Sequence, residues 1–149
     1  MRVILDANIV FSGILNTNGR IGDLLINSAG LVDFIAPNFL RTEIKKHYPK
    51  LIKLSNMTLE EIRESEFQLY SGVTFISEEQ IKVSTWLAAQ KLVADVDVKD
   101  TVYIAFARHF RCKIWSGDKH LRKGLEKKGF KNFITTEELF NWKEKKNRG

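Results

Sequence analysis

Cysteine occurs once in the chain, at Cys112, so no intramolecular disulfide can form and no cysteine-rich zinc cluster can assemble. A reducing compartment is the simplest expectation. Proline occurs only at Pro37 and Pro49, and no Pro/Ser/Gly linker, low-complexity tract or internal repeat divides the sequence. No apolar run is long enough to cross a bilayer, and the first residues lack the basic and apolar blocks of a signal segment. A cytoplasmic location without membrane association is therefore expected. The three histidines, His47, His109 and His120, share no metal-ligand spacing and receive no catalytic role.

What is present is a chain of 149 residues, enough for one domain with a sizeable core. A single domain over 1–149 is expected, with a charged carboxyl-terminal tail from about Lys143. Lysine and arginine number 24 against 18 aspartates and glutamates, a formal charge of +6. That balance favours a polyanionic partner, nucleic acid ahead of an anionic membrane surface.

The hydrophobic periodicity alternates between strand-like and helix-like. RVILD (2–6), VDFIAP (32–37), VTFIS (73–77), KIWSGD (113–118) and NFIT (132–135) read as strands. SGILNTNG (12–19) is rich in turn residues, RIGDLLINSA (20–29) reads as a helix ended by Gly30, and a helix from an Asn38 cap is expected to stop at Pro49. Thr58 with Glu61 three residues later is a capping box opening a helix over 58–71. EEQIKVSTWLAAQKLVA predicts a helix of about four turns, DTVYIAFARHF a buried helix, HLRKGLEKKG a short basic one, and TEELFNWKEKKNRG a helix that frays. Strands alternating with helices favour a parallel sheet covered on both faces.

Asp6 closes the first strand, Asp118 closes the strand KIWSG, and Asp100 opens the buried helix. In a doubly wound sheet that edge binds ligands where the strand order reverses, so Asp6 and Asp118 would face each other if their strands are neighbours. Relative to Leu40, a helix at about 100° per residue puts Ile44 near about 40° and Glu43 near about −60°, on the border of the apolar stripe. Asp95 and Asp97 precede Asp100 in DVDVKD, which lacks the central glycine and final glutamate of an EF-hand loop. Each acid taken alone could be a turn or cap residue. Together they would repel unless some protonate or a divalent cation balances them, and oxygen-only ligands favour Mg²⁺ or Mn²⁺ over Zn²⁺. The chemistry implied is metal-assisted hydrolysis of a phosphodiester.

With LDANI at the amino end, Glu43, DVDVKDTVYIAFA and IWSGDKHL in this order, the sequence resembles the PIN-domain family of ribonucleases, particularly the toxin components of toxin-antitoxin pairs. The resemblance implies a three-layer α/β/α sandwich with a central, mostly parallel sheet, Mg²⁺ or Mn²⁺ at an acidic pocket, and cleavage of RNA. It implies that Asp6, Glu43, Asp100 and Asp118 are the catalytic, metal-binding quartet, that Asp97 is an additional metal ligand, and that Asn8 and Ser116 support them, Asn8 by orienting Asp6 through its amide. A cognate antitoxin and a homodimer are the partners expected besides RNA. Where family members often carry Pro and Phe after the acid and Thr, this chain has Val102 and Tyr103.

Lys119, Arg122 and Lys123 follow Asp118 closely and are the candidate RNA contacts; Lys127, Lys128 and Lys131 extend the run. Phe67 and Trp86 suggest core or dimer packing, and Trp115 packing before base stacking. Two alternatives stay open. One is a catalytically silent RNA-binding or scaffold protein. The other is a haloacid-dehalogenase-like phosphatase with Asp6 as phosphoryl acceptor, weakened because Asn8 stands where that family has a second aspartate.

Overall fold

The computed structural model describes all 149 residues, arranged as five parallel strands and nine helices. The strands are β1 (Arg2–Leu5), β2 (Asp33–Pro37), β3 (Val73–Ile76), β4 (Lys113–Trp115) and β5 (Phe133–Ile134). Their order in the sheet is β3-β2-β1-β4-β5. Val3, Ile4 and Leu5 are wholly buried because β1 is the central strand and is covered on both faces, which an uninterrupted apolar run suits. Leu5 is in register with Trp115 of β4, and Ile4 with Ile35 of β2.

The helices are α1 (Ala7–Leu15), α2 (Arg20–Asn27), α3 (Phe39–Lys46), α4 (Tyr48–Ser55), α5 (Leu59–Tyr70), α6 (Val83–Val93), α7 (Thr101–Phe110), α8 (Lys119–Glu126) and α9 (Thr136–Arg148). From β1 the chain steps outward to β2 and β3, then crosses back to β4 and β5. With right-handed crossovers, α1 to α5 cover one face and α6 to α8 the other, giving three layers. Helix α7, apolar from Val102 to Ala107, packs on β1, β2 and β4, while α9 packs against α2. The order reverses between β1 and β4, so a crevice opens at the carboxyl ends of those two strands. No helix is long and apolar enough to cross a membrane.

The structure departs from the sequence reading in five places. The first half of the turn-rich stretch 12–19, Ser12 to Leu15, belongs to the helix α1, held by burial of Ile9, Val10, Gly13 and Ile14 despite Ser12 and Gly13, while 16–18 form the expected turn. Pro49 does not close a helix; it lies in the first turn of α4, where a missing N–H costs nothing. The break at His47 therefore interrupts the helical bearing beyond Ile44. Asn38 makes no side-chain cap, and Phe39 N–H donates instead to Glu78 Oε1 at 2.8 Å. Finally, the charged end is not a tail: α9 continues to Arg148, and Lys143 is buried with its ammonium donating to Asn27 C=O at 2.7 Å. The segment 78–93 is also split, into a 3-10 turn at Glu78–Gln80 and α6. Capping boxes at Thr58/Glu61 and Thr135/Glu138 open α5 and α9.

Candidate active site

Asp6 follows β1 directly, caps α1, and is only 4% exposed. Its Oδ1 accepts the Ile9 N–H at 3.0 Å, and the Ser116 hydroxyl also hydrogen-bonds its carboxylate. Burial pushes its pKa up to about 6; the hydrogen bonds from Ser116 and Ile9 oppose this, and the charges of Asp118 and Glu43 add to it. Asp118 stands at the end of the neighbouring strand, caps α8 through Oδ1 to Leu121 N–H at 3.0 Å, and donates its own N–H to Ser116 Oγ at 3.1 Å. Ser116 therefore joins the two strand-end acids. The register Leu5 to Trp115 brings together residues that the chain separates widely.

Asp100 occupies the cap position of α7 but makes no capping hydrogen bond. Burial is the main reason its pKa rises to about 7, followed by the charges of Asp97, Asp6, Asp118 and Glu43. Asp97 is half-buried and holds the 3-10 turn at Val98–Asp100 by accepting Lys99 N–H at 3.0 Å. Glu43 reaches the same group from the middle of α3, and its Oε1 accepts the hydroxyl of Tyr103. That tyrosine is 2% exposed, and burial, reinforced by Glu43, raises its pKa far above the ordinary phenol range.

Asp100 thus feels the charge of the other four sequence-predicted acids, Asp6 feels those of Asp118 and Glu43, and none of the five forms an ion pair. The three ion pairs of the molecule, Arg122–Glu126, Arg122–Glu138 and Lys128–Asp95, lie outside the group. Asp95 is accordingly an exposed partner of Lys128. No group of three or more His, Cys, Asp or Glu side chains is arranged here so that it could hold a metal ion. The donor set nevertheless suits a hard divalent cation. Asp97 and Asp118 each commit one oxygen to a local backbone N–H, Glu43 commits one to the Tyr103 hydroxyl, Asp6 accepts from Ile9 and Ser116, and Asp100 accepts no hydrogen bond.

The remaining predicted residues separate. Asn8 is exposed on the first turn of α1 and makes no hydrogen bond to Asp6; it lines a cleft of about 350 Å³ with Asp118, Gly117 and Thr136. Lys119 and Arg122 line a second cleft, about 280 Å³, on the other side of Asp118. Lys123 opens instead onto a basin shared with Lys127 and Lys131. Trp115 is a packing residue, wholly buried with its indole N–H donating to Thr136 Oγ1 at 3.0 Å. Tyr103 was not anticipated as part of the site. Its signal was a single hydroxyl inside an apolar helix, one turn beyond Asp100, which must find a partner when buried.

A solved structure with a similar fold is VapBC2 from Rickettsia felis bound to a DNA fragment from their promoter. The TM-score is 0.60 at 15% identity, with 91% of this chain and 97% of that chain covered, a likeness of fold alone. No curated protein matches the sequence. The PIN domain model matches residues 4–142, a span that contains every acid of the cluster. With nearly its whole length matched, the chain belongs to the PIN domain family, whose members are nucleases.

Proposed function

We propose that the protein is a divalent-metal-dependent endoribonuclease acting as the toxin of a toxin-antitoxin pair. The observation that carries the reading is Asp100, a carboxyl without a hydrogen-bonding or ionic partner, set among Asp97 of its own turn and three acids from three further segments. Like charges gathered without a cationic side chain are destabilising unless a cation joins them. Asp6, Asp100 and Asp118 would hold Mg²⁺ or Mn²⁺, with Glu43 and Asp97 beside them. When bound, such an ion lowers the pKa of a water and offsets the charge that builds on the phosphate during hydrolysis.

The chain's own groups orient that chemistry. Ser116 holds Asp6 in position, Tyr103 holds Glu43, and Lys119 and Arg122 attract a phosphate backbone toward Asp118. A phosphoryl-acceptor role for Asp6 is disfavoured by its near-complete burial and by the Ile9 and Ser116 hydrogen bonds. The antitoxin partner is supported by the fold shared with the Rickettsia felis VapBC2 chain. Self-association is supported by Val83 and Leu87, exposed apolar residues one turn apart on α6.

The test is cleavage of single-stranded RNA with Mg²⁺ or Mn²⁺. Wild type is expected to cut and Asp6→Asn to be inactive; equal cleavage by the variant, or by wild type in EDTA, would overturn the mechanism. Growth arrest on expression, relieved by the product of a short adjacent reading frame, is the outcome expected of a toxin.

A further inference from the structure

A concavity of about 560 Å³ lies at the opposite edge of the sheet from the acids, lined by Ser84, Thr85, Arg108, Arg111, Lys131 and Asn132 among others. Three elements build it: the start of α6, the end of α7, and the loop entering β5. Its place in the fold follows from the register, because Arg111 precedes β4, and Asn132 C=O accepts Ile114 N–H at 2.9 Å at the amino end of that strand. No carboxylate lines it. Arg108, Arg111 and Lys131 are exposed and belong to none of the ion pairs, so their charges are uncompensated. The first turn of α6 adds the backbone N–H of Ser84, of positive partial charge, whereas Thr85 N–H already donates to Lys82 C=O at 3.0 Å. Arg111 leaves α7 in the left-handed conformation, φ 54°, and this turns the chain toward β4 beside the concavity.

The concavity is not isolated. Helix α8 starts at Asp118 in the acidic cluster and runs back along the sheet for eight residues, about 12 Å. Lys119 and Arg122 line the cleft beside Asp118; Lys123, Lys127 and Lys131 line the next basin, about 440 Å³; and Lys131 also lines the distal concavity. The one acid in the middle basin, Glu126, stands 3.9 Å from the Arg122 guanidinium. Cations thus stand in each of the three hollows between the acids and the far edge, and Lys131 is shared by the last two.

We infer that the distal concavity of Arg108, Arg111 and Lys131 is a second RNA site, holding backbone phosphates of a single strand several nucleotides away from the acidic cluster. The choice of RNA as the occupant rests on the ribonuclease reading. The site sets a minimum length for tight binding: an oligomer confined to the acid-proximal cleft cannot reach it. Spaced cations without an aromatic surface read charge and not bases, so the contact is indifferent to sequence.

The experiment compares fluorescently labelled single-stranded RNAs of about 4 and about 16 nucleotides, by anisotropy in EDTA so that no cleavage occurs. The proteins are wild type and the Arg108→Gln/Arg111→Gln/Lys131→Gln variant, whose replaced side chains are exposed; equal melting temperatures check folding. The variant is expected to bind the longer RNA about tenfold or more weakly at low salt, with a salt slope shallower by about 2, and the short RNA unchanged. An equal loss for both lengths would show an effect of net charge only and overturn the inference, as would no loss for either. Because no turnover is measured, an inactive wild type would sink the nuclease reading and leave this result standing, whereas normal cleavage with unchanged length dependence would sink the distal site alone.

Discussion

Tyr103 offers its hydroxyl to Glu43 from within a helix that is otherwise apolar, and so ties α7 to α3 across the acidic cluster. Replacing it with Phe removes the donor and leaves the ring packed. The expected cost in stability is about 1 kcal/mol, and Mn²⁺ should bind several-fold more weakly as Glu43 loses its fixed orientation. Calorimetric titration with Mn²⁺ checks this, and unchanged affinity would deny Tyr103 any part in placing Glu43. Ser116 acts on the opposite side of the group. Its hydrogen bond lowers the Asp6 pKa against the effect of burial, so Ser116→Ala should move that pKa upward from about 6. The acid limb of the cleavage-rate profile would then shift to higher pH. An unmoved limb would mean that Ser116 serves only the turn before Asp118.

At the scale of elements, the same short-range signals that open helices also deliver the carboxylates. Asp6 and Asp118 are both N-caps after strands, which is why the structural and the catalytic readings of these residues coexist: each uses only one oxygen for its helix. Helix α1 was illegible because Ser12 and Gly13 run into the turn residues Asn16 and Asn18, and only burial against α2, α3, α4 and α5 overrides that local preference. The α1–α2 corner depends on Gly22, where an added Cβ would meet Thr17 C=O at 2.2 Å. Gly22→Ala should destabilise by about 1–3 kcal/mol, read from urea unfolding. A change within about 0.5 kcal/mol would show that the corner can relax. The capping box of α5 was readable in full, since its partners are three residues apart, whereas that of α9 was missed because Thr135 was read as the end of the final strand.

For the whole molecule, the raised carboxyl pKa values link stability to pH. Asp6 and Asp100 bind protons more tightly folded, at about 6 and about 7, than at the ordinary value of 3.8. Between those limits the native state holds more protons than the unfolded chain, so their effect is to lower stability as pH rises from about 4 to about 7, then level off. Denaturant titrations in EDTA should show that decline and show it reduced in Asp100→Asn; the same slope in the variant would refute the assignment. Adding Mn²⁺ should stabilise the protein, and more at pH 8 than at pH 5, because protons compete for the same oxygens.

The acids, their order along the chain, the basic run after Asp118 and the alternation of strands with helices were all determined by the sequence alone, because they rest on residue identity and local periodicity. Which strand lies beside β1 was not. Parallel pairing leaves no local mark, and the juxtaposition of Asp6 with Asp118 exists only because β4 returns to the centre of the sheet. The tertiary structure likewise decided that Tyr103 meets Glu43, that Asn8 turns to solvent, and that α8 carries the cations from the acidic crevice to the far edge, since each depends on distances between segments that only the packed sheet brings together.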